Sequence, residues 1–110
     1  MARNVPAAGE IVWLNFTPQA GHEQAGRRPA LVISLAAYND EKTGLMICCP
    51  ITTQIKNCPF EVLVAGTMSK AVLADQVKSA DWSVRKARRK GAVSAEELGE
   101  VRAKILALIS

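Results

Sequence analysis

The chain reads as a mainly β domain closed by a single C-terminal α-helix, and three observations point there. Short apolar runs bounded by turn residues recur along the first two thirds, the pattern of buried strands. A helical period of apolar residues emerges only near the end. With 110 residues, 49% of them hydrophobic, there is enough material for one core without disulfides or a structural metal. Together these predict one domain over 1–110, a small and strongly curved antiparallel sheet or partial barrel with the helix packed on it.

The elements run in order. Gly9-Glu10-Ile11-Val12-Trp13-Leu14-Asn15-Phe16 is a first strand, and Thr17-Pro18-Gln19-Ala20-Gly21 is the loop that closes it, with Pro and Gly suited to turns. Arg28-Pro29 enters a second strand, Ala30-Leu31-Val32-Ile33-Ser34. Tyr38 to Gly44 is a polar connection into a third strand, Leu45 to Pro50. Phe60 to Val64 is a fourth, with Glu61 facing out, and Val72 to Ser79 offers one or two more. Ser94-Ala95-Glu96-Glu97 has the form of a capping box, in which the serine hydroxyl and the glutamate carboxylate each satisfy the other's backbone amide. Leu98, Val101, Ile105 and Leu108 then share one helical stripe.

Charge and cysteine usage bound the function. Fourteen Lys and Arg against ten Asp and Glu give +4, a mild bias toward polyanionic or acidic partners. Cys48 and Cys49 are adjacent and point to opposite faces of a strand, with Cys58 in a later loop, so a reduced, cytoplasmic protein is expected. No CxxC or HxxxH spacing offers a metal site. The segment Met-Ala-Arg-Asn-Val-Pro lacks an apolar leader core, and no run is long enough to span a membrane.

Polar residues that could carry chemistry cluster where strands meet loops. Arg28 is held extended by Pro29, and its planar five-donor guanidinium suits a phosphate gripped at two oxygens; the alternative is a surface arginine paired with Glu23. Thr52, Thr53 and Gln54 follow Pro50 and carry donors for phosphate or base edges, although such residues also cap ordinary turns. Glu23 and Asp75 are possible bases. His22, the only histidine, lies in a loop and cannot alone supply an acid and a base. The run Arg85-Lys86-Ala87-Arg88-Arg89-Lys90 with Trp82 upstream fits single-stranded nucleic acid, cations following the backbone and a ring stacking on a base. It fits a solvated loop equally well.

With these residues in hand, the chain resembles the MazF/PemK family of toxins from bacterial toxin–antitoxin pairs. The likeness runs from Val5 to Ile109 and rests on ordered blocks: Gly9-Glu10-Ile11-Val12-Trp13, Glu23-Gln24-Ala25-Gly26-Arg27-Arg28-Pro29-Ala30, Tyr38-Asn39, Pro50-Ile51-Thr52-Thr53-Gln54, Pro59-Phe60-Glu61-Val62, Leu73-Ala74-Asp75-Gln76-Val77-Lys78-Ser79 and Glu96-Glu97-Leu98. It implies an SH3-like small barrel, a homodimer, and endoribonuclease activity on single-stranded RNA with no metal or other cofactor, leaving a 2′,3′-cyclic phosphate and a 5′-hydroxyl. It also implies a cognate antitoxin whose acidic, extended tail covers the RNA site.

One departure chooses between two site layouts. The PemK and Kid branch has an arginine two residues before the aspartate matching Asp75, and here that position is Leu73. The resemblance therefore assigns catalysis to Arg28 and Thr52, with Glu23 as a candidate base, and makes Asp75 and Gln76 structural or RNA-positioning residues; the chemistry of the side chains adds Gln24, Asn39, Thr53, Gln54, Lys56, Trp82, Arg88 and Arg89 as expected RNA contacts. Arg28 would stabilise the phosphorane with Thr52 adding a neutral donor, while the base is either Arg28 acting as a relay or Glu23, since an arginine with a pKa above about 12 is a poor base. A non-catalytic binder on the same barrel is the alternative, either a gyrase poison of the CcdB type or an inactive RNA-binding module.

Overall fold

The structure is a computed structural model that describes residues 5–16, 26–40, 44–56, 58–64 and 70–110. Its strands are β1 (Glu10–Phe16), β2 (Gly26–Val32), β3 (Leu45–Thr52), β4 (Glu61–Leu63), β5 (Ala71–Leu73), β6 (Lys78–Asp81) and β7 (Arg88–Ala92). A four-residue helix α1 (Ala36–Asn39) and a 3-10 turn at Ala74–Gln76 join them, and α2 (Ala95–Ile109) closes the chain.

All strand pairs are antiparallel, in the order β4-β5-β3-β2-β1-β7, with β6 also paired to β3. β3 is the hub because it is long enough to bond β2, β6 and β5 along its length. Its residues alternate between two apolar clusters, as a period of two requires. Cys48 and Met46 join Val12, Leu14, Ala30, Val32, Ala80 and Trp82 on one side. Cys49 and Ile51 join Ile11, Leu31, Val62, Val72 and Val101 on the other. The expected opposite facing of the two cysteines is therefore present, and Cys48, Cys49 and Cys58 are all free thiols.

Helix α2 begins as the sequence requires. Glu97 N donates to Ser94 Oγ at 3.1 Å and Ser94 N donates to Glu97 Oε1 at 2.9 Å. Val101 is fully buried, with Leu98 and Ile105 packed beside it. The stripe stops short of its expected end, for Leu108 is exposed along with Leu106 and Ile109. Arg102 Nη2 donates to Ile33 O at 2.8 Å and Lys104 Nζ to Pro59 O at 2.6 Å, so the helix is clamped at two points. Among the described residues no helix is long and apolar enough to cross a membrane.

The structure departs from the sequence expectation elsewhere too: β2 runs Gly26–Val32 rather than Ala30–Ser34, because β1 pairs it back to Gly26. Residues 88–92 form an edge strand pairing with β1, whereas the basic run was expected as a binding segment or loop. Lys90 is the extra residue of a bulge there, between the pairs Val12–Arg89 and Ile11–Gly91. The connection after Ile33 carries helix α1, and its last residue, Asn39, is completely buried.

Candidate RNA-cleaving site

Arg28 lies on β2 opposite Leu14 of β1, and Thr52 ends β3 opposite Ala71 of β5. β2 and β3 pair with Ala30 opposite Pro50, Leu31 opposite Cys49 and Val32 opposite Cys48. The ladder ends at Ala30–Pro50, and Arg28 and Thr52 each stand two residues beyond that pair. Arg28 is exposed and Thr52 is half-buried.

Thr52 also organises the segment that leaves β3. Its Oγ1 accepts from Gln54 N at 3.0 Å, which leaves the hydroxyl's own proton to donate. Thr52, Gln54 and Lys56 form one wall of a cleft of about 280 Å³. Phe60, Glu61, Leu73, Asp75 and Gln76 line the rest, with Cys58 at the edge. Thr53, Gln54, Lys56, Asp75 and Gln76 are all exposed. Glu61, expected to point outward, turns its carboxylate onto the loop, accepting from Lys56 N at 3.1 Å and Cys58 N at 3.2 Å. Nothing in the sequence marks it for that role, since its partners are backbone amides.

The cysteines flanking this cleft are held neutral. Burial, the neighbouring Cys48 and the Asp75 carboxylate push the Cys49 thiol up to about 12. Burial also raises Cys48, against the pull of Lys78 and Arg85. Neither is a nucleophile, since the thiolate is the reactive form. Among the described residues, no three His, Cys, Asp or Glu side chains converge as a metal would need.

Two expected RNA contacts lie in the interior instead. Trp82 is only 6% exposed and packs among Val12, Leu14 and Met46, so its ring cannot stack on a base. Its Nε1 donates to the backbone carbonyl of Asn39 at 2.8 Å. Asn39 in turn donates from Nδ2 to Pro6 O at 2.7 Å and to Ser34 O at 3.1 Å, and its Oδ1 accepts from the Ser34 hydroxyl. Every polar atom of the amide is engaged by the protein, which makes Asn39 a structural tie rather than a reader of bases. The spacing of Ala80 and Trp82, two apart in a strand pattern, is the signal that would have placed the ring inward.

The basic run sits elsewhere. Arg88 and Arg89 are exposed on β7, at the opposite end of the strand order from β4 and β5. They line a second cleft of about 650 Å³ with Val5, Pro6, Glu10, Val12, Lys86 and Ala87, which shares no residue with the first. Arg89 Nε pairs with Glu10 Oε2 at 2.9 Å. Lys90 Nζ stands 5.4 Å from the Trp13 ring centroid, a cation–π distance. His22, Glu23 and Gln24 lie outside the described residues, as does the loop expected over 17–21.

The fold has clear relatives. Residues 7–109 match the family profile of the PemK-like, MazF-like toxin of type II toxin–antitoxin systems. The chain is 50% identical to the endoribonuclease toxin MazF of Escherichia coli K12, over 99% of this chain and 98% of the other. It is 34% identical to the endoribonuclease toxin ChpB of the same strain, over 92% and 91%. A chain of the MazE–MazF crystal structure from Deinococcus radiodurans superposes with a TM-score of 0.88 at 53% identity, covering 97% of each. A mycobacterial endoribonuclease bound to its cognate antitoxin has the same fold, with a TM-score of 0.70 at 18% identity, over 96% of this chain and 93% of that one. The match over nearly the whole length, together with the antiparallel barrel-like sheet and its closing helix, establishes that this chain is a member of the MazF/PemK family of type II toxin–antitoxin toxins and a homologue of the endoribonuclease MazF.

Proposed function

We propose that the protein is a sequence-specific endoribonuclease that cuts single-stranded RNA with Arg28 and Thr52, using no metal. The observation that carries this reading is the Thr52 hydroxyl at the end of β3, held by Gln54 N with its own proton left to donate, in a cleft lined by Gln54, Lys56, Asp75 and Gln76; Arg28 takes its role from the resemblance. Cleavage requires the ribose 2′-oxygen to attack phosphorus while the bond to the 5′-oxygen breaks, giving a 2′,3′-cyclic phosphate and a 5′-hydroxyl. Negative charge builds on the non-bridging oxygens in between. Arg28 stabilises it with charge-assisted bonds and Thr52 adds a neutral one. The 2′-hydroxyl proton passes to Arg28 acting as a relay or to Glu23, and a proton is returned to the leaving 5′-oxygen. Comparing the pH–rate profile of Glu23→Gln with wild type separates the two, because a carboxylate base contributes an acidic limb that the variant loses.

Gln54, Lys56, Asp75 and Gln76 line the cleft beside Thr52, and with Gln24 and Thr53 they supply donors and acceptors for base edges. Arg88 and Arg89 grip phosphates farther along the strand. The active form is a homodimer in the cytoplasm, a reading supported by the apolar last turn of α2 left exposed at Leu106, Leu108 and Ile109 and by three free thiols. A cognate antitoxin with an acidic tail competes with RNA for the same positive surface, in keeping with the antitoxin complexes of its relatives.

The test is incubation of the purified protein with mixed-sequence RNA in excess EDTA, with sequencing and chemical mapping of the new ends. Recurrent cleavage at one short motif with 2′,3′-cyclic phosphate termini supports the proposal. Intact RNA, or cleavage that needs added metal, refutes it.

A further inference from the structure

We infer that Glu61 is the positioning residue that sets the reading wall of the cleft, Gln54 and Lys56, relative to Thr52. The inference rests on the RNA-cleaving reading above. Glu61 is itself fixed from two sides. It opens β4 in register with Leu73 of β5, and its amide donates to Cys58 O at 3.1 Å. The adjoining Phe60 carbonyl accepts from Ala74 N at 3.0 Å, tying the same corner to the turn that carries Asp75 and Gln76. From that base the side chain reaches back to the loop. Both carboxylate oxygens accept from Lys56 N, at 3.1 Å each, and Oε1 also accepts from Cys58 N at 3.2 Å.

Bonds from amides to a carboxylate are about twice as strong as neutral ones and draw the donors toward one point. The segment leaving β3 is thus pinned at both ends. At its start, Gln54 N is held by the Thr52 hydroxyl. At Lys56 and Cys58 it is held by Glu61. The pinned amides belong to Gln54 and Lys56, the reading residues themselves, so Glu61 converts the rigidity of the β4–β5 pair into a fixed distance between the reading groups and the Thr52 hydroxyl. It touches the loop backbone rather than the reacting atoms, and its removal acts on how substrate is held.

The experiment compares wild type, Glu61→Gln and Glu61→Asp. The glutamine keeps size and one acceptor but loses the charge and turns an N–H donor toward the amides; the aspartate keeps the charge but is one methylene too short to serve both amides. Amide hydrogen exchange on the native proteins reads the positioning without RNA, and exchange at Lys56 and Cys58 is expected to quicken about tenfold or more in Glu61→Gln, with β3 unchanged. With RNA, KM is expected to rise about tenfold while kcat changes less than about threefold, and the preference for the cognate motif over single-base variants is expected to fall. Glu61→Asp should recover part of both. In a double-mutant cycle, Glu61→Gln should add little once Gln54 and Lys56 are already alanine. Unchanged exchange at Lys56 and Cys58, full additivity in the cycle, or a loss confined to kcat would each overturn the inference. If wild type fails to cut RNA while exchange responds as expected, the RNA-cleaving reading fails and the positioning contact stands.

Discussion

Asn39→Ala should unfold the protein early without touching the chemistry of the RNA site. The substitution deletes an amide whose Nδ2 serves Pro6 O and Ser34 O and whose Oδ1 takes the Ser34 hydroxyl proton. Ser34 Oγ in turn accepts from Ile47 N at 2.8 Å, so the network runs from the N-terminal segment through α1 to β3. Leaving a buried polar group without its partner costs about 1–3 kcal/mol. Ser34 is only half-buried and recovers some hydration, so the low end of that range applies to its two groups, while the buried Pro6 O costs at least as much, for a total of at least about 3 kcal/mol. Against the roughly 5–15 kcal/mol that holds a domain of this size, that is a large fraction, and it corresponds to a fall in Tm of about 12–20 °C. Urea unfolding monitored by tryptophan fluorescence, at one fixed protein concentration because assembly shifts apparent stability, reads the loss directly. RNA cleavage per folded molecule, measured well below the transition, should stay within about twofold of wild type. A variant as stable as wild type that no longer binds RNA would refute the structural role and restore Asn39 to the RNA surface.

Other variants probe the remaining claims. Arg28→Ala should lower kcat about a hundredfold or more with the fold intact, and Thr52→Val should cost less than that while Thr52→Ser stays near wild type; single-turnover cleavage with circular dichroism as the folding control decides the order. Arg88→Ala should weaken RNA binding and reduce the slope of log K against log salt by about 0.7, the value for one phosphate contact on a single strand, without altering the cleavage motif; filter binding over a salt series measures it. Stability should fall as pH is raised from about 9 toward 12. The folded Cys49 thiol holds its proton up to about 12 while the unfolded one releases it near the ordinary 9.0, so its contribution is complete below pH 9 and lost above. The urea midpoint of Cys49→Ala should show a flatter alkaline decline than wild type.

Much of the fold is legible in the amino-acid order alone, because the buried strands β1 to β5 are written in apolar runs and α2 in a capping box. β7 is not. Arg88, Arg89 and Lys90 are exposed on a strand that, among the described residues, pairs with β1 alone, so no apolar alternation marks them, and a charged edge strand looks like a solvated loop. The site is legible in a different way. Arg28 and Thr52 stand out as residue types and take their roles by resemblance, but where each sits in the sheet, Arg28 opposite Leu14 and Thr52 opposite Ala71, is a matter of register, which no local pattern encodes. Burial of polar groups is likewise invisible in one dimension. Trp82 beside a basic run suggests a stacking platform, yet its indole N–H meets the carbonyl of Asn39, forty-three positions away. Glu61 is legible as a charge and not as a clamp, since its partners are backbone amides.

The strand that separates the two apolar clusters also bears on how the molecule breathes. β3 bonds three other strands and contributes Met46 and Cys48 to one cluster and Cys49 and Ile51 to the other. Neither cluster can melt while the other survives, because each would lose the same wall. Fluctuations that free the edge strand β7 or the end of α2 leave β3 paired, and its amides should be the last to exchange with solvent. Thr52 is the final residue of that strand. Partial opening at the periphery therefore leaves Thr52 in place, and a protease that nicks the edges meets a core that holds together until the whole chain lets go.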